Sequence, residues 1–155
     1  HPMAVLPPAN EMVIAFKEGN VKRSDLTNRQ WFETAIELEE EVSVLTYCED
    51  GQALALGDVR GDIHLWNLET GSIRQTIKAH SNQINALATL GEYTLVSASR
   101  DRELKLWDIP SGELVTSLEH HRRQVFCVAV SEDQQQILSG GLEGEIRLWE
   151  TGESN

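Results

Sequence analysis

Hydrophobic and polar residues alternate along this chain in short runs, each broken by a turn. The stretch from Ala79 to Asp108 shows the pattern most completely. Apolar positions at Ile84, Ala86 and Leu87 lead into a turn at Leu90-Gly91-Glu92. A second run spans Tyr93 to Ser97, and after a tight polar turn Leu104-Lys105-Leu106-Trp107 alternates again. Period-2 runs bounded by turn residues predict antiparallel strands. The layout recurs on both sides: Trp66, Trp107 and Trp149 stand 41 and 42 residues apart, and aligning them brings their surroundings into register. Each is preceded by a turn and alternating apolar residues. Each is followed by Thr70-Gly71, Ser111-Gly112 or Thr151-Gly152, a turn signal.

A weaker copy opens the chain. Gly19-Asn20-Val21 falls on Gly61-Asp62-Ile63, Ser24 takes the tryptophan position, and Trp31 belongs to the following strand. A period of about 42 residues built from strands alone lies in the range of propeller blades. The first strand of the later copies is read at Val42 to Tyr47, Ile84 to Leu90 and Val125 to Val130. The second is read at Ala53 to Leu56, Tyr93 to Ser97 and Gln136 to Ser139, with Met12 to Phe16 in the first copy. The third ends at the tryptophan, and the outer strand is read at Trp31 to Ile36, Ile73 to Lys78 and Leu114 to Leu118. Arg29 to Glu41 has a mild helical pattern, but it is in register with Gly71 to Gln83 and reads as outer strand plus acidic loop. The expected fold is all-β: blades of four antiparallel strands over 1–38, 39–80, 81–121 and 122–155.

His80, Ser97, Asp101 and Trp107-Asp108 make the best copy resemble a repeat of the WD-repeat β-propeller family. The three tryptophans in register extend the resemblance over the whole chain. It implies a ring of four-stranded blades around a central channel. It also implies that histidine, serine, turn aspartate and tryptophan form a hydrogen-bonded chain inside a blade. Buried polar groups need such partners, since each one left alone costs roughly 1–3 kcal/mol. The third copy matches at His80, Ser97, Asp101 and Trp107; the fourth offers His121, Ser139, Glu143 and Trp149. In the second copy Leu38, Leu56 and Arg60 replace the polar partners and leave Trp66 alone, and the first has Ile14, Glu18 and Ser24. Packing alone is expected to hold those two. His80, Ser97 and Asp101 are also the residue types of a hydrolase triad, but their recurrence in the next copy reads as structure.

Composition narrows the partners. Acidic residues outnumber basic ones 25 to 13, a net charge of −12, which argues against phosphate and hence against nucleic acid. The densest run, Glu37-Leu38-Glu39-Glu40-Glu41, reads as a solubilising loop or as a docking patch for a basic partner. No apolar stretch approaches the ~20 residues of a membrane helix, and no secretory leader is visible; His1-Pro2-Met3 looks like a cut point. Cys48 and Cys127 occupy unrelated repeat positions, so no disulfide framework is expected and a reduced cytoplasmic setting is favoured. Zinc-type cysteine or histidine pairs and glycine-rich phosphate loops are missing from the sequence, and His120-His121 point apart as neighbours. No metal, cofactor or catalytic site is expected.

The fourth copy reads as ending after its third strand, and four blades are few for a ring of this family. The expectation is an open arc: either a piece of a longer propeller, or half of an eight-blade ring closed by a second copy joined head to tail. The resemblance places partner binding at the channel rim, at Gln83, Asn85, Gln124, Phe126, Glu41 and Ser43, with Val59, Arg100, Leu142 and Lys17 in the turns. Arginine and aromatic residues anchor interfaces, so Arg100, Arg122, Arg123, Phe126 and Leu142 form the preferred patch, with Asn85 beside it. The expected function is a non-catalytic scaffold or sensor module that binds proteins. An assembly-only segment and an enzyme with a rim site are the rivals.

Overall fold

The structure, a computed structural model, describes residues 2–6, 10–31, 36–48, 53–118 and 121–152. Blade one contains β1 (Met3–Leu6), β2 (Glu11–Ala15), β3 (Asn20–Asp25), β4 (Gln30–Trp31) and β5 (Ile36–Glu37). Blade two contains β6 (Val42–Cys48), β7 (Ala53–Asp58), β8 (Asp62–Asn67) and β9 (Ser72–Lys78). Blade three contains β10 (Ile84–Leu90), β11 (Thr94–Ser99), β12 (Leu104–Asp108) and β13 (Leu114–Leu118). Blade four contains β14 (Val125–Val130), β15 (Gln136–Gly141) and β16 (Ile146–Glu150). Within each sheet the strands follow chain order, β4 and β5 both pairing with β3. The described pairings are antiparallel, and no described residue is α-helical; Lys17–Gly19 and Leu142–Gly144 form single 3-10 turns. No described helix is long and apolar enough to cross a membrane.

The second strands run further than the residue pattern predicts, to Asp58, Ser99 and Gly141. The cause lies in the facing first strands, whose register shifts at Val42/Val44, Ile84/Ala86 and Val125/Cys127. Each shift lets one extra residue stand opposite the partner and lengthens the pairing around it. The helix-like run Arg29 to Glu41 holds β4 and β5 in its described part; residues 32–35 lie outside the described residues.

Because side chains alternate across a strand, each blade sends one set of residues forward and the other back. Ile63 and Leu65 of β8 pack forward among Ile84, Leu95 and Trp107 of blade three. Trp66, next after Leu65 and so on the opposite face, packs back among Val13, Ala15 and Val21 of blade one. Val96, Leu104 and Leu106 of blade three close in turn on Val125 and Ile137 of blade four. Each fully buried leucine, isoleucine or valine here is worth about 1.5–3 kcal/mol. Polar ties reinforce the junctions. Ser43 Oγ donates to Ile84 O at 2.5 Å, and Asn85 Nδ2 to Val125 O at 2.7 Å, each from one blade to the next. Arg23 Nη1 reaches Leu68 O at 2.9 Å and Arg74 Nη2 reaches Ile109 O at 2.6 Å.

The turn after the second strand packs under the crossover to the next blade, and this close approach selects glycine. Gly61 has φ of 99°, and its carbonyl accepts from His80 N at 2.9 Å. A Cβ there would be driven into the carbonyl oxygens of His80 and Asn82. Gly91 also has a positive φ, of 63°, but nothing lies near its missing Cβ. Gly61→Ala is therefore expected to destabilise the fold by about 2 kcal/mol or more, against about 1 kcal/mol or less for Gly91→Ala. Urea unfolding of the two variants checks the ranking.

Candidate functional site at the rim of blades three and four

The polar positions of blade three converge on one buried hydroxyl. Trp107 Nε1 donates to Ser97 Oγ at 2.8 Å, and His80 Nε2 lies 2.7 Å from the same oxygen. His80 Nδ1 lies 2.8 Å from Asp101 Oδ2, which also accepts from Ser81 N at 3.1 Å. The assignment that gives every hydrogen a short bond puts the proton of His80 on Nδ1, directed at Asp101, with Ser97 donating to Nε2. The hydroxyl is thus a donor to histidine and an acceptor from the indole. Burial pushes the Asp101 carboxyl up, but the hydrogen bond from His80 and those from the amides of Glu103 and Ser81 outweigh it, holding the group below its ordinary value.

Blade four repeats the junction with one change. His121 Nε2 lies 2.7 Å from Ser139 Oγ, and Trp149 Nε1 donates to that oxygen at 2.9 Å. Glu143, expected as the acid, does not face His121: it is exposed, with φ of 66°, in the 3-10 turn. The carboxylate nearest His121 is Glu145, whose Oε2 lies 3.4 Å from Nδ1 without the alignment of a hydrogen bond. Glu143 stands in a left-handed backbone conformation that Asp101 does not share, and Glu145, just before the third strand, faces His121 instead. Arg147 holds the Glu145 carboxyl below its ordinary value, with the amide of Arg122 adding to the effect.

Blade two leaves the Trp66 indole N–H buried without a partner, as the loss of its polar set requires. It is not held by packing alone, however. Asp58, almost fully buried, accepts from the amides of Arg60, Gly61 and Asp62 at 2.9 Å each, and His64 Nε2 lies 3.0 Å from its other oxygen. His64 Nδ1 continues to Thr76 Oγ1 at 3.0 Å, so the network runs outward through the third and outer strands. Burial raises the Asp58 carboxyl, and the bonds from His64, Asp62 and Arg60 bring it below its ordinary value. In blade one Arg23 pairs with Glu11. Both sets escaped the sequence reading because it sought partners only at the tryptophan-linked positions. The usable signal was an aspartate closing the second strand ahead of a glycine turn, a carboxylate placed to cap the turn's own amides.

These junctions are closed to substrate. Ser97 and the side chains of His80 and His121 have no exposed surface. Ligand atoms of His80, Asp101 and Glu103 lie within 4.8 Å of one another, the spacing of a metal cluster. Yet both His80 nitrogens are already bonded, and Glu103 pairs with Lys105 at 2.8 Å.

The exposed candidates surround this wiring. Three equivalent bonds fix the rim loops to the preceding crossovers: Val59 N to Glu41 O at 3.1 Å, Arg100 N to Gln83 O at 3.0 Å and Leu142 N to Gln124 O at 2.9 Å. Arg100, Arg122 and Arg123 are exposed, and among the described residues their guanidinium groups have no hydrogen bond or ion pair. Arg122, Arg123 and Leu142 line one shallow concavity with Glu145, Ile146 and Arg147. Phe126 is exposed on the face of blade four. Asn85 is not available as an anchor, because its amide is committed to the Val125 carbonyl of the next blade.

The family description "WD domain, G-beta repeat" matches residues 112–150. "Anaphase-promoting complex subunit 4 WD40 domain" matches residues 7–92, more than half of the chain. Denticleless protein homolog B of Xenopus laevis is 34% identical over 104 residues, 63% of this chain and 15% of that protein. WD repeat and SOCS box-containing protein 1 of Xenopus tropicalis is 33% identical over 105 residues, 66% of this chain and 25% of that protein. The matched stretch thus covers a quarter or less of these relatives. In fold, the chain is similar to the crystal structure of the computationally designed Ika4 protein, with a TM-score of 0.85 over 97% of this chain and 90% of that one, at 24% identity.

Two outcomes follow from the wiring. Asp101→Ala strips His80 Nδ1 and two amides of their acceptor and is expected to cost about 2–4 kcal/mol. Arg60→Ala loses only an exposed pair with Glu40 and is expected to cost under about 1 kcal/mol; chemical denaturation of both variants compares them. Asp58 and Asp101 are held below their ordinary values in the fold, so their stabilisation is complete above the unfolded pKa of about 4 and is lost as pH falls through the folded values. Unfolding free energy should therefore drop on acidification below about pH 4, and the gap between the parent chain and Asp101→Asn should shrink there. A gap that stays constant with pH would contradict the charged state of Asp101.

Proposed function

The chain belongs to the WD-repeat β-propeller family, and from that premise we propose that it is a non-catalytic protein-interaction scaffold that takes its partner at the rim of blades three and four. The observation that carries this reading is the set of guanidiniums at Arg100, Arg122 and Arg123, which have no partner among the described residues and are exposed on a chain whose net charge is −12. Unpaired cations on an acidic protein keep their charge for a partner, and arginine offers a planar fork that matches carboxylates. Leu142 supplies an apolar contact in the concavity of Arg122 and Arg123, and Phe126 is a further exposed apolar side chain of blade four. The fitting partner is a protein segment that pairs acidic side chains with an apolar one. The backbone bonds under the rim keep these side chains on a fixed base, which lowers the ordering cost of binding. Sealed histidine and serine side chains at the junctions favour a scaffold over an enzyme with a rim site.

The test is charge reversal. Arg100→Glu with Arg123→Glu should abolish retention of proteins that the parent chain captures from a cell extract, with the melting temperature unchanged, because neither guanidinium has a partner among the described residues. Capture that survives both changes overturns the rim assignment.

A further inference from the structure

The rim changes sign along the repeat. The three backbone bonds that pin the rim loops put Glu41, Gln83 and Gln124 at one repeat position. The two residues before it are Glu39-Glu40 in the crossover to blade two, Ser81-Asn82 in the next and Arg122-Arg123 in the one after. Equivalent positions therefore carry two acidic side chains, two neutral ones and two basic ones. The arginine end belongs to the proposed partner surface, which leaves the acidic end unused. Its backbone is held in place: Leu38 N donates to Gly19 O at 3.0 Å, and Val59 N to Glu41 O at 3.1 Å. Gly19, with φ of 77°, lies so close beneath the crossover that a Cβ would strike the Leu38 carbonyl.

Beside this crossover blade two has a groove, and two replacements mark it. Where blade three places His80 and Asp101, blade two has Leu38 and Arg60. Leu38 packs on the apolar cluster around Trp66, and Arg60 reaches out to Glu40 at 2.6 Å. A concavity of about 370 Å³ lies between the crossover, the turn after β7 and the outer strand β9. Half-buried Leu38 and Ile73 line it with apolar surface. Its cations are already neutralised, Arg60 by Glu40 and Lys78 by Asp62. Asp58 is consumed by three amides and His64. Glu37 and Glu39 remain, both exposed on the groove, with no hydrogen bond or ion pair among the described residues.

We propose that this groove takes an arginine or lysine side chain of a protein partner, its methylenes on Leu38 and Ile73 and its charge against the carboxylates of Glu37 and Glu39. Long basic side chains lay their stems on apolar surface while the head stays with charge and water. Carboxylates without a cation of their own, above an apolar floor, match that shape and that sign. A metal ion fits worse, because no three metal-ligating atoms converge there among the described residues. An anionic ligand would meet uncompensated negative charge. The proposal rests on the rim reading for the class of partner and names its basic half. The bound segment presents a cation to blade two and carboxylates to blade four. The groove uses none of the three arginines, so each end can fail without the other.

The probe is the acetylated, amidated peptide Gly-Arg-Leu-Arg-Gly, titrated into the full chain at about 0.1 M salt and followed by amide NMR shifts. The shifts should concentrate at residues 37–41, 58–64 and 73–78 and shrink as salt is added. Glu37→Gln with Glu39→Gln should weaken binding about tenfold or more, the scale of lost charge-assisted bonds. Glu92→Gln with Glu132→Gln removes the same charge from exposed turns at the opposite end of the blades. It should change affinity less than about twofold, because charges beyond a Debye length are screened. A peptide with citrulline at both arginines keeps the shape without the charge and should not bind. The Arg100→Glu, Arg123→Glu chain should still bind the peptide, so its loss of captured proteins leaves the groove standing. No binding by the parent chain, equal weakening by both glutamate pairs, shifts centred away from the groove, or binding of the citrulline peptide overturns the proposal.

Discussion

A twisted four-stranded sheet has two faces and cannot bury either by itself. In this chain the solution is serial: every face that is covered is covered by the sheet before or after it. The three apolar clusters sit between successive blades, and none of them belongs to a single sheet. The alternation of side chains along each strand, Gly19 and Gly61 under their crossovers and the arginines that reach the next blade's carbonyls all serve that junction. The rim loops inherit their positions from it, because the turn after each second strand is pinned to the preceding crossover.

Within that frame the blades are specified to different degrees. Blade three fixes its tryptophan, serine, histidine and aspartate in one chain of short bonds, which is strong only because every member is satisfied. Blade four keeps the hydroxyl junction but leaves His121 Nδ1 facing a carboxylate at 3.4 Å. Blade two abandons the junction, leaves one indole hydrogen unpaired among the described residues, and builds a second network around Asp58 through His64, two residues before Trp66 on the same face of the sheet. The same scaffold therefore tolerates two polar solutions, because apolar burial between blades supplies most of the stabilisation and the polar sets choose among arrangements.

The repeat, the strand order and the hydroxyl junction of blade three were legible in the sequence, because a fixed period places equivalent residues in equivalent surroundings. Trp66 without a partner was legible for the same reason. The position of the blade-four acid was not: the turn at Glu143 takes a different backbone course from that at Asp101, and no spacing rule reveals that Glu145 lies closer. Asp58, His64 and Thr76 were hidden because they depend on cross-strand register, with the bulge at Val42/Val44 setting which residues share a face. Asn85 was mistaken for a free rim residue because its reach across to Val125 is visible only when the angle between blades is known.

The serial arrangement of junctions has a thermodynamic consequence. The principal contacts between sheets link β1 to β6, β6 to β10 and β10 to β14, so each unit is coupled to its immediate neighbours. Such an array behaves as a one-dimensional cooperative system, in which each unit is held by the junctions on either side of it. Local opening of one blade is then felt first by its immediate neighbours. Blade three, where couplings to both neighbours and the complete polar set coincide, is held most firmly against such opening.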